Sequence, residues 1–152
     1  MKFHTTDYFK PSREFNADDV LFTFNRMLNK DDPFRKAYPT EFPYFTDMGM
    51  DKNIAKLEKL DEHTVKFTLN EVDAAFIQNL AMSFASIQSA EYADQLLKEG
   101  KAADINQKPI GTGPFVFSKY QKDAQIRFKG NKDYWQPDDV KIDNLIFAIN
   151  TD

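Results

Sequence analysis

The sequence predicts an α+β fold, with a mixed or antiparallel sheet and about three helices. Along residues 64–69 every second residue is apolar, the pattern of a strand with one buried face. Along residues 20–28 the apolar residues follow helical spacing instead. A glycine-rich corner at 111–114 then opens a further stretch of alternating residues. Helices and strands are therefore expected before the corner, and antiparallel strands after it.

The first helix is predicted to begin after Asn16. This side chain can cap the helix, and Asp18 and Asp19 lie in the first turn beside the positive end of the helix dipole. Residues 29–50 hold no period and contain three prolines and five aromatic residues. We expect a long irregular loop there, whose aromatic residues either face a ligand or anchor the loop.

A hairpin and two more helices are predicted next. Residues 54–60 fit a helix as well as a strand, but the turn before 64–69 favours a hairpin. A second helix is expected from Asp73, and its predicted buried face consists of Phe76, Ile77, Leu80 and Phe84. A third is expected from the cap Ser89 to Gly100, which can end it in the left-handed conformation. Residues 101–109 are predicted to form a polar linker.

The corner consists of Gly111, Thr112, Gly113 and Pro114. The two glycines permit a tight turn or a positive φ, and Pro114 fixes its own φ and donates no ladder hydrogen bond. We predict a structural corner at which the chain re-enters a sheet, in preference to a ligand-binding loop. A hairpin of 115–120 with 125–129 and a strand at 141–149 are expected after it, followed by the polar residues 150–152.

Composition limits the classes of function. A chain of 152 residues, 41% hydrophobic and with 15 Phe, is long enough for one domain with a core. Asp and Glu outnumber Lys and Arg by 24 to 20, which argues against a nucleic-acid partner. No apolar run approaches the roughly 20 residues that span a bilayer, and no stretch has the order of a signal peptide. The absence of cysteine excludes disulfides and thiolate chemistry.

Few residues are candidates for catalysis. His4 and His63 are the only histidines, and no Gly-x-Ser-x-Gly motif accompanies either. The corner matches only half of a dinucleotide fingerprint, because Val116 stands where the third glycine is needed. His63 follows Asp61 and Glu62, but adjacent turn residues point in different directions, so we predict a solvated turn. We therefore predict no enzyme, no metal site and no cofactor.

Several segments resemble a known family. They are Lys2-Phe3-His4, the segment 15–24 (FNADDVLFTF) and the return at 109–115 (PIGTGPF), with supporting similarity at 61–67, 133–135 and 142–147. In order and spacing they are similar to the family 5 solute-binding proteins, the extracytoplasmic peptide-binding proteins of ABC transporters. Residues 44–49 and 89–94 resemble the dipeptide-binding members and the related haem-binding lipoproteins, which also bind glutathione.

The resemblance implies a longer, two-lobed parent protein, of which this chain is an internal fragment. Residues 1–109 would be most of the inserted smaller subdomain of the first lobe, and 110–152 the strands that return to that lobe's main sheet. The second lobe, which in dipeptide-binding relatives supplies an Asp and an Arg to the peptide's two ends, would be absent. Phe42 and Tyr44, in the aromatic stretch, are the candidate ligand contacts of the first lobe.

For the parent, the resemblance implies capture of a small peptide, glutathione or haem in the periplasm, with or without a lipid anchor. Delivery would be to the membrane subunits of an ABC permease. For the isolated chain we expect weak or no ligand binding, and self-association through surface that the second lobe would otherwise cover. The alternative is an autonomously folding interaction module that presents its aromatic stretch to a protein partner.

Overall fold

The computed structural model describes residues 1–150, so the last two residues of the predicted polar end lie outside the described part. The chain divides into two compact units. The contiguous unit is Asn16–Ala102, and the two-segment unit combines Met1–Phe15 with the chain from Ala103 onwards. These units divide the chain at 15/16 and 102/103, whereas the sequence analysis places its subdomain boundary at 109/110.

The contiguous unit holds six of the seven α-helices found among residues 1–150. They are α1 (Ala17–Leu28), α2 (Pro33–Ala37), α3 (Pro43–Asp47), α4 (Met50–Asn53), α5 (Phe76–Asn79) and α6 (Ala90–Glu99). Only α1 and α6, with 12 and 10 residues, are longer than five residues. A short 3₁₀ helix covers Ser83–Ala85.

The start predicted for α1 and both ends predicted for α6 are confirmed. Asn16 Oδ1 accepts a hydrogen bond from the Asp18 N–H at 2.9 Å, and Asp19 Oδ2 accepts one from the Asn16 N–H at 3.0 Å. This reciprocal pair is a capping box. At α6, the Ser89 hydroxyl accepts from the Tyr92 N–H, and Gly100 ends the helix in the left-handed conformation with φ of 67°.

The predicted hairpin is also confirmed, and it packs against helices to form the core. Strand β1 (Ile54–Asp61) pairs antiparallel with β2 (Thr64–Leu69). The ring of Phe67 in β2 meets Phe24 of α1 edge to face, with 5.1 Å between the ring centroids. The buried residues of this core come from α1, α3, α4, β1, α5 and the 3₁₀ helix: Phe24, Met27, Phe45, Met50, Ile54, Phe76 and Ala85.

Two predictions in this unit are wrong. Residues 29–50 are not an irregular loop, because Pro33 and Pro43 occupy the first turns of α2 and α3, where a missing N–H removes no helical bond. The second predicted helix, from Asp73 through Phe84, is wrong in length: α5 has four residues and no side-chain cap, and the chain reaches Phe84 through a turn and the 3₁₀ helix. The predicted buried face is confirmed for Phe76, which is buried, and for Leu80 and Phe84, which pack against the core, whereas Ile77 is 72% exposed.

The two-segment unit consists of α7 (Asp104–Gln107) and a three-stranded antiparallel sheet. Strands β3 (Phe115–Gln121), β4 (Gln125–Gly130) and β5 (Asn144–Ala148) lie in that order, which confirms the predicted hairpin and final strand. The polar linker predicted at 101–109 is wrong in part, because it contains α7 with Ile105 buried. All strand pairs among residues 1–150 are antiparallel, so the antiparallel form of the predicted sheet applies.

Phe117, Phe128 and Phe147 form an edge-to-face row across the three strands, with centroid separations of 6.0 and 5.9 Å. Where β4 ends, the chain passes close to its own backbone: a Cβ on Gly130 would lie 2.7 Å from the Ile142 carbonyl oxygen. Glycine is therefore required at this position. Along residues 1–150, no helix is both long and apolar enough to cross a bilayer.

Candidate functional site

The candidate ligand-contacting residues lie in a segment that we call the aromatic loop, residues 33–47, from the start of α2 to the end of α3. Asp32 caps α2, with its Oδ1 accepting from the N–H groups of Phe34 and Arg35 at 2.9 and 3.0 Å. Phe34 and Phe45 point inwards and are buried. The aromatic loop is thus ordered by the Asp32 cap of α2 and by two buried rings.

Phe42 and Tyr44 occupy different environments within the aromatic loop. Phe42 is partly buried against the core. The guanidinium carbons of Arg26 and Arg35 each lie 5.3 Å from its ring centroid. Tyr44 is 67% exposed. Phe42 therefore anchors the aromatic loop through cation–π contacts, whereas Tyr44 presents its ring to solvent.

Arg26 lies in an apolar environment. Its guanidinium also faces the rings of Phe22 and Phe34, at 5.8 and 5.6 Å from their centroids. Burial lowers the pKa of Arg26 from its usual value, and the negative charge of Asp32 acts in the opposite direction. Its Nε is buried and has no hydrogen-bond partner among residues 1–150.

At the corner, His4 joins the first segment of the two-segment unit to Gly111 and Gly113. Its ring Nε2 lies 2.9 Å from the Gly113 carbonyl oxygen, and its Nδ1 accepts from the Gly111 N–H at 3.3 Å. The His4 N–H also donates to the Gly111 carbonyl at 2.8 Å. These partners select the neutral tautomer with its proton on Nε2, and burial lowers the pKa of His4.

The corner glycines keep negative φ or extended backbone, since the positive-φ glycines of residues 1–150 are Gly49 and Gly100. Pro114 contributes instead through its carbonyl, which accepts from the Asn131 N–H at 2.8 Å. Asn131 Nδ2 donates to the Gly113 carbonyl at 3.1 Å. Thr112 lies between these contacts, so the corner is held from both sides by His4 and Asn131.

No metal-binding cluster is found among the described residues. No group of three or more His, Asp or Glu side chains that could hold a metal occurs within 1–150. His63 is exposed, and its N–H donates to Asp61 Oδ1 at 2.8 Å. That hydrogen bond lowers the pKa of Asp61 and belongs to the hairpin turn.

The sequence analysis does not identify Arg26 and Arg35 as residues of the candidate site. Phe22 and Arg26 are four residues apart on α1, so their contact was accessible from helical spacing. The contact of both arginines with Phe42 depends on how the aromatic loop packs on α1, and no local sequence pattern predicts that packing.

Comparison with known proteins assigns the chain to a class, the bacterial extracellular solute-binding proteins. A family model described as "Bacterial extracellular solute-binding proteins, family 5 Middle" matches residues 1–152, and the chain belongs to this family. This confirms the resemblance drawn from the sequence.

Relatives and a solved structure extend the comparison. Di/tripeptide-binding protein 1 of Pseudomonas aeruginosa (strain UCBPP-PA14) is 88% identical over 152 residues, which are 100% of this chain and 28% of the relative. Heme-binding protein A of Haemophilus influenzae is 43% identical, again over 100% of this chain and 28% of the relative. The crystal structure of a dipeptide-binding protein from Pseudoalteromonas sp. SM9913 in complex with Met-Leu has a TM-score of 0.90 and 38% identity, and the match covers 99% of this chain and 30% of that chain. This chain thus spans 28% of the length of these curated relatives.

Proposed function

We propose that the protein containing this sequence captures di- or tripeptides in the periplasm and delivers them to the membrane subunits of an ABC permease. The observation that carries the proposal is the 88% identity, along the whole chain, to a di/tripeptide-binding protein. The likeness to a dipeptide-binding protein solved with Met-Leu supports the same ligand class. In this function the protein makes and breaks no bond.

The proposed parent protein closes two lobes around its ligand, because burial between two walls supplies enclosure and preorganisation that one wall lacks. Within it, residues 1–109 belong to the inserted smaller subdomain of the first lobe and 110–152 to strands of that lobe's main sheet. The corner at Gly111, Thr112, Gly113 and Pro114 is the structural point of re-entry between them. An anchor in lipid is compatible with this arrangement and needs no residue of this chain.

Phe42 and Tyr44 are the proposed first-lobe contacts, with different roles. The exposed ring of Tyr44 offers an apolar face and a hydroxyl to the ligand, a combination that is common at binding surfaces. Phe42, held by two arginines, offers only the part of its ring that remains accessible and keeps the aromatic loop in position.

Haem is a second candidate ligand, favoured by the 43% identity to Heme-binding protein A. Glutathione is a third candidate and is chemically a modified tripeptide. The rival proposal from another class is an interaction module that presents the aromatic loop to a protein. Exposed apolar side chains such as Ile77, Val72 and Phe147 support self-association of the isolated chain under either proposal.

A thermal-shift screen with dipeptides, tripeptides, glutathione and haemin, run on the isolated chain and on a full-length parent, tests the proposal. A ligand at 100 times its dissociation constant stabilises a binder by about 2.7 kcal/mol. We expect the parent to respond to peptides and the isolated chain to melt cooperatively without a shift. A parent that ignores every peptide would contradict the proposal, and size-exclusion chromatography of the isolated chain reports self-association.

Substitution in the parent tests the contacts. We expect Tyr44→Ala to weaken peptide binding roughly tenfold, as truncation of an interface tyrosine often does. Tyr120→Ala is the matched control, because Tyr120 is also exposed but lies outside the aromatic loop. Phe42→Ala is expected to weaken binding and to lower stability together. Unchanged affinity of both loop variants, measured by calorimetry, would remove these residues from the site.

A further inference from the structure

Within the described residues, the Arg26 guanidinium faces aromatic rings and no carboxylate contacts it directly. Within residues 1–150 its neighbours are three phenylalanine rings, and its Nε is buried with no acceptor. No ion pair of Arg26 is found in this described part of the chain. Buried polar groups are nearly always hydrogen-bonded, and an unpaired guanidinium in apolar surroundings lowers stability. An acceptor supplied from elsewhere would remove this deficit.

A second arginine lies at the same ring. The Arg35 guanidinium is as close to Phe42 as that of Arg26 is, and its side chain is only 12% exposed. It donates to the Met27 carbonyl oxygen at 2.8 Å. It is also 3.8 Å from a carboxylate oxygen of Glu41, whose side chain is 92% exposed. A loosely held carboxylate on an exposed side chain thus already reaches Arg35.

The charges around Arg26 leave it attractive to an anion. Asp32 is the carboxylate whose charge acts on Arg26, but its Oδ1 already accepts two backbone N–H groups at the start of α2. Phenylalanine rings attract a cation through their faces and cannot replace the in-plane acceptors that a guanidinium uses. A planar carboxylate matches those in-plane donors with two parallel hydrogen bonds.

We propose that Arg26, with Arg35 as a second positive charge beside Phe42, forms a binding site for a carboxylate. Arg26 donates from its guanidinium nitrogens to the carboxylate oxygens, and Glu41 competes for the same positive potential. The site shares Phe42 with the proposed peptide contacts, but it needs no peptide and no second lobe. If the parent does not bind peptides, the proposed carboxylate site is therefore unaffected. If Arg26 does not bind carboxylates, the proposed peptide transport is equally unaffected.

NMR of the isotopically labelled 152-residue chain tests the proposal through the arginine Nε–Hε resonances. Sodium acetate replaces sodium chloride at constant ionic strength and neutral pH. We expect the Arg26 resonance to move saturably with acetate and to stay unchanged with the neutral isostere acetamide. Arg127, exposed in β4, is the internal control and should not move. An Arg26 resonance that moves no more than that of Arg127 would overturn the proposal.

Matched variants separate the site from general charge effects. Arg26→Lys keeps the charge but loses the planar donors, so acetate binding, followed in this variant at the Arg35 Nε–Hε resonance, should weaken roughly fivefold. Glu41→Gln removes the competing carboxylate, and binding should strengthen roughly two- to threefold, the range of an exposed ion pair. Arg127→Met removes one positive charge outside the aromatic loop and should change nothing. Equal weakening by Arg127→Met and Arg26→Lys would contradict a localised site.

Two sources of carboxylate are distinguished by a further pair of titrations, alanyl-alanine and its C-terminal amide. A response to alanyl-alanine but not to the amide assigns the site to the peptide C terminus as well as to small acids. A response to acetate alone assigns it to small acids. An equal response to the dipeptide and its amide would contradict carboxylate recognition.

Discussion

The core of the contiguous unit and the sheet of the two-segment unit differ in how completely their aromatic residues are covered. Phe24 and Phe45 are at most 2% exposed. In β3, β4 and β5 no residue is buried, and Phe147 is 53% exposed. Both regions contain edge-to-face phenylalanine pairs, so residue type does not explain the difference.

The difference lies in what surrounds the rings. In the contiguous unit, α1 packs on both strands of the hairpin and the short helices complete the core. In the two-segment unit the phenylalanine row contacts itself across the strands but keeps solvent access. Because hydrophobic stabilisation scales with the area removed from water, equal substitutions in the two regions should have unequal effects.

The largest contrast is expected between Phe45→Ala and Phe147→Ala. Phe45 is 0% exposed, and its truncation leaves a cavity that should lower the free energy of unfolding by about 3–5 kcal/mol. Phe147→Ala should lower it by under about 1 kcal/mol, because half of the ring is already hydrated. Urea denaturation followed by circular dichroism measures both. Similar losses for the two variants would mean that the sheet is as well covered as the core.

Asp19→Ala probes how the contiguous unit joins its two long helices. The carboxylate of Asp19 is fully buried and accepts from the N–H groups of Asn16 and Ala90, at 3.0 and 2.9 Å. Its removal leaves two partly buried donors without this acceptor, so we expect a loss of about 2–4 kcal/mol.

Asp18→Ala is the control for Asp19→Ala. Asp18 is adjacent but half exposed and paired with Lys59, so the loss should stay under about 1 kcal/mol. Equal losses for the two variants, measured by the same denaturation, would exclude the buried network as the cause.

Gly130→Ala tests the tightest approach in the two-segment unit. The added Cβ would lie 2.7 Å from the Ile142 carbonyl oxygen, and backbone has to move to accept it. We expect a loss of about 1–3 kcal/mol, the usual range for overpacking. Gly113→Ala adds the same atom where no other atom lies within 4 Å, and it should be nearly neutral. A harmless Gly130→Ala would show that β4 and the chain at Ile142 are further apart than described.

The smallest effect on the free energy of unfolding is expected from protonation of His4 at acid pH. Burial lowers the folded-state pKa of His4 below its unfolded value near 6.5, so the unfolded chain binds more protons between the two values. The contribution of His4 to the free energy of unfolding is complete above about pH 6.5, and it is lost as the pH falls through the folded-state pKa. For one proton this loss is at most about 1.4 kcal/mol per pH unit. His4→Gln should remove this slope between pH 5 and 7, whereas His63→Gln should keep it. A slope that survives His4→Gln must come from another group.

Local signals made part of this fold predictable. The caps at Asn16 and Ser89 and the left-handed Gly100 involve residues within one helical turn, so sequence alone located both long helices. The alternation of apolar and polar residues located the strands. Pro33 and Pro43 fit an irregular loop as well as the first turn of a helix, and only packing decides between the two.

The candidate site was less predictable, for a physical reason. Phe42 and Tyr44 stand out by composition, but their different exposure follows from tertiary packing. Arg26 meets Phe42 across sixteen positions of sequence, which no helical or strand period connects. The ligand-contacting role of both aromatic residues stays a prediction.

The two units are completed at different times during translation. Residues 16–102 are continuous, so all of them are synthesised before the last third of the chain. Residues 1–15 emerge first, yet Gly111, which hydrogen-bonds to His4, is translated more than a hundred residues later. During translation the contiguous unit can therefore mature while the leading segment still lacks its partners. In a nascent chain arrested just after residue 102 has cleared the exit tunnel, α1 to α6 should resist protease and residues 1–15 should be cut.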